Sequence, residues 1–343
     1  MWDRIVGHQQ NKEFLQRFLE RREGPHALLF YGPEGIGKCL LAKEFARAFL
    51  CLDDSGGKRP CDDCESCRIL NFETGNLAHP DFILVEPLEG EDNKLGILKA
   101  EQMYELLQKA AFGPVLSPRK VCIINEADKM NTESANAFLK LLEEPPEGWY
   151  FILVVKQLDR LLPTILSRVI RMRFAPLTVK ETEEALRQQG IDGEEATALA
   201  ALSGGSLGKA LEYRRINAFA MRNAALDYLE VIPGLLDPAS YLLREDYFKD
   251  ILKEQDDVKL FLEFTEQLLR DLLFVKLDLT DRVYSRDVTD RLQALAARWE
   301  TGRLHQAVDV AGKAFSAAQR RANTKSILDD MTFTLEASFE GRI

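Results

Sequence analysis

Residues 28–40, LLFYGPEGIGKCL, constrain the fold more than any other stretch of this chain. An apolar run ends at Gly32. Gly37 and Lys38 then follow at the offsets of the phosphate-gripping pattern G-x-x-x-x-G-K-[ST], with Gly35 between them, and an amphipathic run begins at once. A strand, a glycine-rich loop and a helix in that order aim several backbone N–H groups at a polyphosphate, and the helix N-terminus adds positive potential. A phosphate loop therefore predicts an α/β domain with a parallel sheet. One position departs from the pattern: Cys39 stands where a hydroxyl would touch Mg²⁺.

Four more apolar runs have strand length: DFILVEP (81–87), KVCIINEAD (120–128), YFILVVK (150–156) and VIRMRF (169–174). With HALLFYG (26–32) they predict five buried parallel strands. KCLLAKEFARAFL (38–50) reads as the helix leaving the loop, and TESANAFLKLLEEPP (132–146) as a second helix stopped by Pro145 and Pro146. After Phe174 the strand signals cease. A capping box, Thr178 to Glu181, opens a helix that Gly190 closes, and two further helical pieces run to about residue 213. Long amphipathic patterns, such as 258–274 and 304–323, fill the remainder. At 343 residues the chain is too long for one ordinary core, and three domains are expected: 1–174, 175–213 and 214–343.

Six cysteines are present, and Cys51, Cys61, Cys64 and Cys67 cluster directly after the loop helix. C-x9-C-x2-C-x2-C is compact enough for four thiolates to converge on Zn²⁺, and a site with no open coordination position is structural. Cys122, inside an apolar strand, reads as core. No apolar run nears the ~20 residues a membrane helix needs, nor does the start look like a secretory signal, so a cytoplasmic location is expected. Asp and Glu number 55 against 45 Lys and Arg, and the net charge of -10 argues against tight autonomous binding to nucleic acid.

Hydrolysis of a nucleoside triphosphate needs Mg²⁺ on the phosphates and a carboxylate behind the metal. The Cys39 sulfur is a soft ligand and serves a hard cation poorly. Neutral Asn125 stands where the strand should end in Asp, with Glu126 following in the place of a water-polarising base.

Several stretches together are similar to one family. PHALLFYGPEGIGK (25–38), the cysteine module, HPDF (79–82), NAFLKLLEEPP (136–146) and DRLLPTILSR (159–168) resemble the bacterial DNA polymerase III clamp loader, a branch of the AAA+ ATPases. The likeness covers residues 1 to about 213. Beyond that it is one of pattern, with weak support from RRANTKSILDD (320–330).

The resemblance implies an AAA+ P-loop domain with an inserted zinc module, a three-helix lid and an all-α collar. It implies a place in a pentamer that opens a sliding clamp onto primed DNA, beside gamma/tau motor subunits and the delta subunit, with clamp and DNA met through the complex and no membrane. Lys156 and Gln157 fall where a motor senses the γ-phosphate, and an ammonium there can take the phosphate's own position. Gly208 falls where a motor has a second-sensor arginine. Ser167 and Arg168 keep the element that lends an arginine to a neighbour's ATP, with Val169 replacing its cysteine. The resemblance thus points to the family's non-motor, stator-like type. Its phosphate site (Gly32, Gly35, Gly37, Lys38, Cys39, Asn125, Glu126) is degenerate and binds ATP or Mg²⁺ weakly or not at all; the alternative is an ATP-hydrolysing motor of gamma/tau type. Trp2 and Ile5 fall where the family covers adenine and equally suit a packed arm. His26 and His79 read as residues with satisfied hydrogen bonds.

Overall fold

The structure is a computed structural model that describes residues 2, 5–21, 24–53, 55, 58–72, 74–90, 93–232, 254–320 and 323–341. Five strands form its main sheet: β1 (Ala27–Tyr31), β2 (Phe82–Val85), β3 (Lys120–Ile124), β4 (Trp149–Val155) and β5 (Ile170–Arg173). Their order is β2-β3-β4-β1-β5, and every pairing is parallel. The strands therefore end on one edge, where the β1, β3 and β4 termini lie side by side. That edge is where open α/β sheets bind ligands.

Side chains alternate across a strand, and β1 divides the core accordingly. Leu28 and Phe30 join Phe18, Leu41, Phe45 and Phe49 on one face, under helices Gln9–Arg21 and Lys38–Phe49. Ala27 and Leu29 join Met103, Leu106, Phe138 and Trp149 on the other, under helices Ala100–Ala110 and Thr132–Glu143. Coverage fails at one margin. β5 was expected to be buried, but only Met172 of its four residues is, because an edge strand lies beyond the helices that cover the centre.

Helix Thr132–Glu143 starts where the Asn131 side chain accepts the Ser134 amide at 2.8 Å, and it stops ahead of the two prolines. The expected capping box is present: Thr178 and Glu181 exchange side-chain-to-amide bonds at 3.2 and 2.8 Å, opening helix Val179–Gln188.

Contacts gather the chain into two compact units, 1–190 with 205–208, and 191–204 with 209–343. The expected boundaries at 174 and 213 fall within them. In the second unit, helix Gln255–Lys276 buries Phe261, Phe264, Leu268 and Leu272 and packs along helix Thr301–Gln319, whose small Ala307, Ala311 and Ala318 are also buried. The expected helices at 258–274 and 304–323 thus lie at Gln255–Lys276 and Thr301–Gln319. Asp271 in that unit is fully buried and accepts the Tyr284 and Ser285 amides, each at 2.8 Å. Residues 233–253 of the expected third domain, 321–322 of RRANTKSILDD, and Met1, Asp3 and Arg4 lie outside the described residues. Among the described residues no helix is long and apolar enough to cross a membrane.

Candidate functional site

The loop after β1 holds three glycines with positive φ: Gly32 at 148°, Gly35 at 73° and Gly37 at 97°. A Cβ on Gly32 would lie 2.2 Å from the Phe174 carbonyl oxygen, so no side chain fits there. Lys38 is buried and donates to the Gly32 carbonyl at 2.7 Å and to the Pro33 carbonyl. Burial pulls its pKa below the usual lysine value, while Glu34 and Asp128 pull it back. Cys39 packs against the aromatic face of the core, and burial pushes its thiol up. A protonated, half-buried sulfur is no substitute for a hydroxyl beside Mg²⁺.

At the end of β3 the Asn125 amide donates to the Val85 carbonyl at 2.9 Å and its side chain to Glu86 Oε1 at 3.2 Å. Glu126 sits in the left-handed region at φ 51° with its carboxylate paired to Lys129. Lys156 leaves β4 and reaches Glu34 Oε2 on the phosphate loop at 3.1 Å, while its amide lies 3.4 Å from Asp128 Oδ1.

Gly208 meets the loop backbone to backbone. Its amide donates to the Gly35 carbonyl at 2.8 Å, and a Cβ there would stand 2.9 Å from Gly35 Cα. Ser206 Oγ donates to the Glu34 carbonyl at 2.9 Å. His8 adds a third strap, its Nε2 2.7 Å from the Ile36 carbonyl oxygen. Neither Ser206 nor His8 was legible from the sequence as a loop partner; short polar residues next to glycines read as turn formers. Trp2 and Ile5 are buried in the core with Leu15 and Phe174.

Arg168 follows the short helix Pro163–Leu166 and is exposed. Its guanidinium donates to the Thr164 carbonyl at 3.0 Å and Ser167 Oγ at 3.1 Å, and pairs with Glu143 Oε1 at 3.0 Å. The quoted stretches NAFLKLLEEPP and DRLLPTILSR thus meet at one ion pair, in which Glu143 is a partner the sequence left unmarked.

The four clustered cysteines converge, with all ligand sulfurs within 4.8 Å of one another. Cys51 and Cys64 sulfurs are 3.9 Å apart, and those of Cys61 and Cys67 4.0 Å. Four sulfurs at about 2.3 Å from a tetrahedral Zn²⁺ stand about 3.8 Å apart, so the residues fit the metal. All six cysteines are free thiols. The Cys64 amide donates to Cys61 Sγ at 3.3 Å and that of Cys67 to Cys64 Sγ at 3.5 Å. Burial pushes the Cys51 and Cys67 thiols up; at Cys61 burial is outweighed by amide hydrogen bonds that bring the thiol down to about 7. Metal uptake here displaces protons. Cys122 is fully buried in β3, as expected of a core residue. His26 Nε2 lies 3.2 Å from the Leu142 carbonyl oxygen, and His79 is buried with both ring nitrogens engaged.

A family model described as "DNA polymerase III, delta subunit" matches residues 7–178. The delta' subunit of DNA polymerase III from Bacillus subtilis (strain 168) is 30% identical over 314 residues, covering 88% of this chain and 92% of that protein. The chain belongs to the DNA polymerase III delta-prime family. The Pseudomonas aeruginosa delta' subunit is 33% identical over 216 residues, 63% of either chain. The tau subunit of Bacillus subtilis is 32% identical over 174 residues, 51% of this chain and 29% of that protein.

Delta-prime membership agrees with the clamp-loader resemblance seen in the motifs, and makes the chain a component of the DNA polymerase III clamp loader. The tau relative matches about half of this chain, whereas the delta' match, at 88% of it, runs into the helical second unit.

Proposed function

We propose that this delta-prime chain is a non-motor, stator-like subunit whose own phosphate site stays idle while Arg168 completes the ATP site of a neighbouring gamma/tau subunit. The contrast between two sites carries this reading. In the phosphate site, sulfur stands for the Mg²⁺ hydroxyl and Asn125 for the metal carboxylate, and the Gly35 carbonyl is taken by Gly208. Arg168, by comparison, is exposed and rests on an ion pair with an acid more exposed than itself, which is simple to exchange for a phosphate.

A guanidinium supplied in trans stabilises charge on the transferring phosphoryl group. On this reading, 1–174 forms the sheet domain, 175–213 a lid, and 214–343 a collar that fixes the subunit beside a motor and delta. Clamp and primed DNA are met through the assembled complex. The four cysteines would hold a structural Zn²⁺, which supplies cross-linking of the module and no reaction step.

The test uses the reconstituted clamp loader with Arg168→Ala. A trans arginine is worth about 10³ to 10⁵ in turnover at the site it serves, so the complex should lose the share of ATPase belonging to that interface while assembling normally. An unchanged rate overturns the assignment. Mg²⁺-dependent hydrolysis near ~1 s⁻¹ by the purified chain alone, an ordinary enzyme rate, would shift the reading to a motor of gamma/tau type.

A further inference from the structure

HPDF, residues 79–82, takes no part in either site, yet its polar side chains are fully engaged. His79 is buried, and its Nδ1 accepts the Asp81 amide at 3.0 Å. The ring proton is therefore assigned to Nε2, which donates to Ser66 Oγ at 2.9 Å. The Ser66 hydroxyl then has one direction left for its own proton, the Leu50 carbonyl at 2.7 Å. This chain of bonds ends among the metal ligands: Leu50 precedes Cys51, and Ser66 lies between Cys64 and Cys67 on helix Glu65–Ile69. Asp81 ties the same turn to the sheet. Its carboxylate accepts the amides of Val115, Leu116 and Ser117 at 2.7 to 2.8 Å, and its carbonyl accepts the Val121 amide of β3 at 2.8 Å.

We infer that His79 and Ser66 form a hydrogen-bonded latch that positions the four-cysteine module for its metal and makes metal occupancy and the stability of the sheet unit interdependent. A helix of five residues does not hold itself in water. Two outside constraints order it, the ligand sulfurs and the latch. Each lowers the ordering cost left to the other, and such coupling is reciprocal. His79 and Ser66 are positioning residues; neither touches the metal.

The experiment uses the full chain, and its zinc content is measured first. A chain that holds no stoichiometric zinc sinks the metal reading on which the latch rests. With zinc bound, release to an excess of a chromogenic chelator and thermal melts of loaded and stripped protein are compared for the wild type, Ser66→Ala and His79→Gln. Groups bonded directly to a ligand change metal affinity about 10- to 100-fold, and the latch acts one bond further out, through the backbone that carries the ligands, so the lower end applies. Release should therefore be about 10-fold faster in both variants, and the melting gap between loaded and stripped protein should shrink. Unchanged zinc release, with loaded and stripped melts lowered equally, overturns the latch and leaves ordinary core packing. Ser66→Ala adds no volume, so it carries the test even if His79→Gln fails to fold.

Discussion

Gly208→Ala should weaken the fold and at the same time strengthen binding of triphosphate. A Cβ at 208 would come 2.9 Å from Gly35 Cα, so the segment has to withdraw from the phosphate loop. Two hydrogen bonds go with it, Gly208 N–H to the Gly35 carbonyl and Ser206 Oγ to the Glu34 carbonyl. At about 1 kcal/mol each their loss costs about 2 kcal/mol. Alanine's better helix propensity returns up to about 1 kcal/mol, leaving a net loss of about 1 kcal/mol. That lowers the melting temperature by roughly 2 to 4 °C for a unit of this size.

The strapped loop is also the loop in which Lys38 spends its protons on the Gly32 and Pro33 carbonyls. If the straps favour that state by about 2 kcal/mol, the competent fraction is about 3%, and apparent affinity is held down about 30-fold. Calorimetric titration with ATP in the absence of Mg²⁺ should show the variant gaining up to about 30-fold. A lower melting temperature with unchanged or weaker ATP binding would refute the reasoning, since the straps would then be packing alone.

Two other perturbations have defined signs. Burial pushes the Asp271 carboxyl up to about 6, against the pull of the Tyr284 and Ser285 amides. A native pKa above the unfolded one contributes stability that is complete below about pH 4 and lost as pH rises through about 6. Lowering the pH from 7 to 5 should therefore stabilise the wild type relative to Asp271→Asn by roughly 1 kcal/mol in urea melts; a difference independent of pH would exclude the assignment. Glu143→Gln removes an exposed pair worth about 0 to 1 kcal/mol and leaves Arg168 on Thr164 and Ser167. ATPase of the reconstituted complex should keep most of the share that Arg168→Ala removes, and a fall to the Arg168→Ala level would give Glu143 a role in the reaction.

Much of the sheet unit was legible because strands buried on both faces are written as continuous apolar runs, and all five fell where the runs lie. The cysteine cluster was legible because its ligands are close in sequence. β5 was over-read, since an apolar run does not say whether a strand lies in the middle or at the margin. Glu143 was missed as the partner of Arg168 because β4 separates them along the chain, and only the sheet order brings the end of helix Thr132–Glu143 to that arginine. Ser66 was missed because a serine between two ligands looks like filler until His79 arrives from beyond the module.

The contact between Gly32 and Phe174 has a wider meaning. At that position the absence of a side chain answers a steric demand made by the carbonyl of Phe174, the residue just past the neighbouring strand, whatever molecule does or does not visit. A glycine signature of this kind records the shape of a bend, and a chain can lose its fuel without being free to alter the bend. Searches that equate such signatures with turnover will count passengers among the engines.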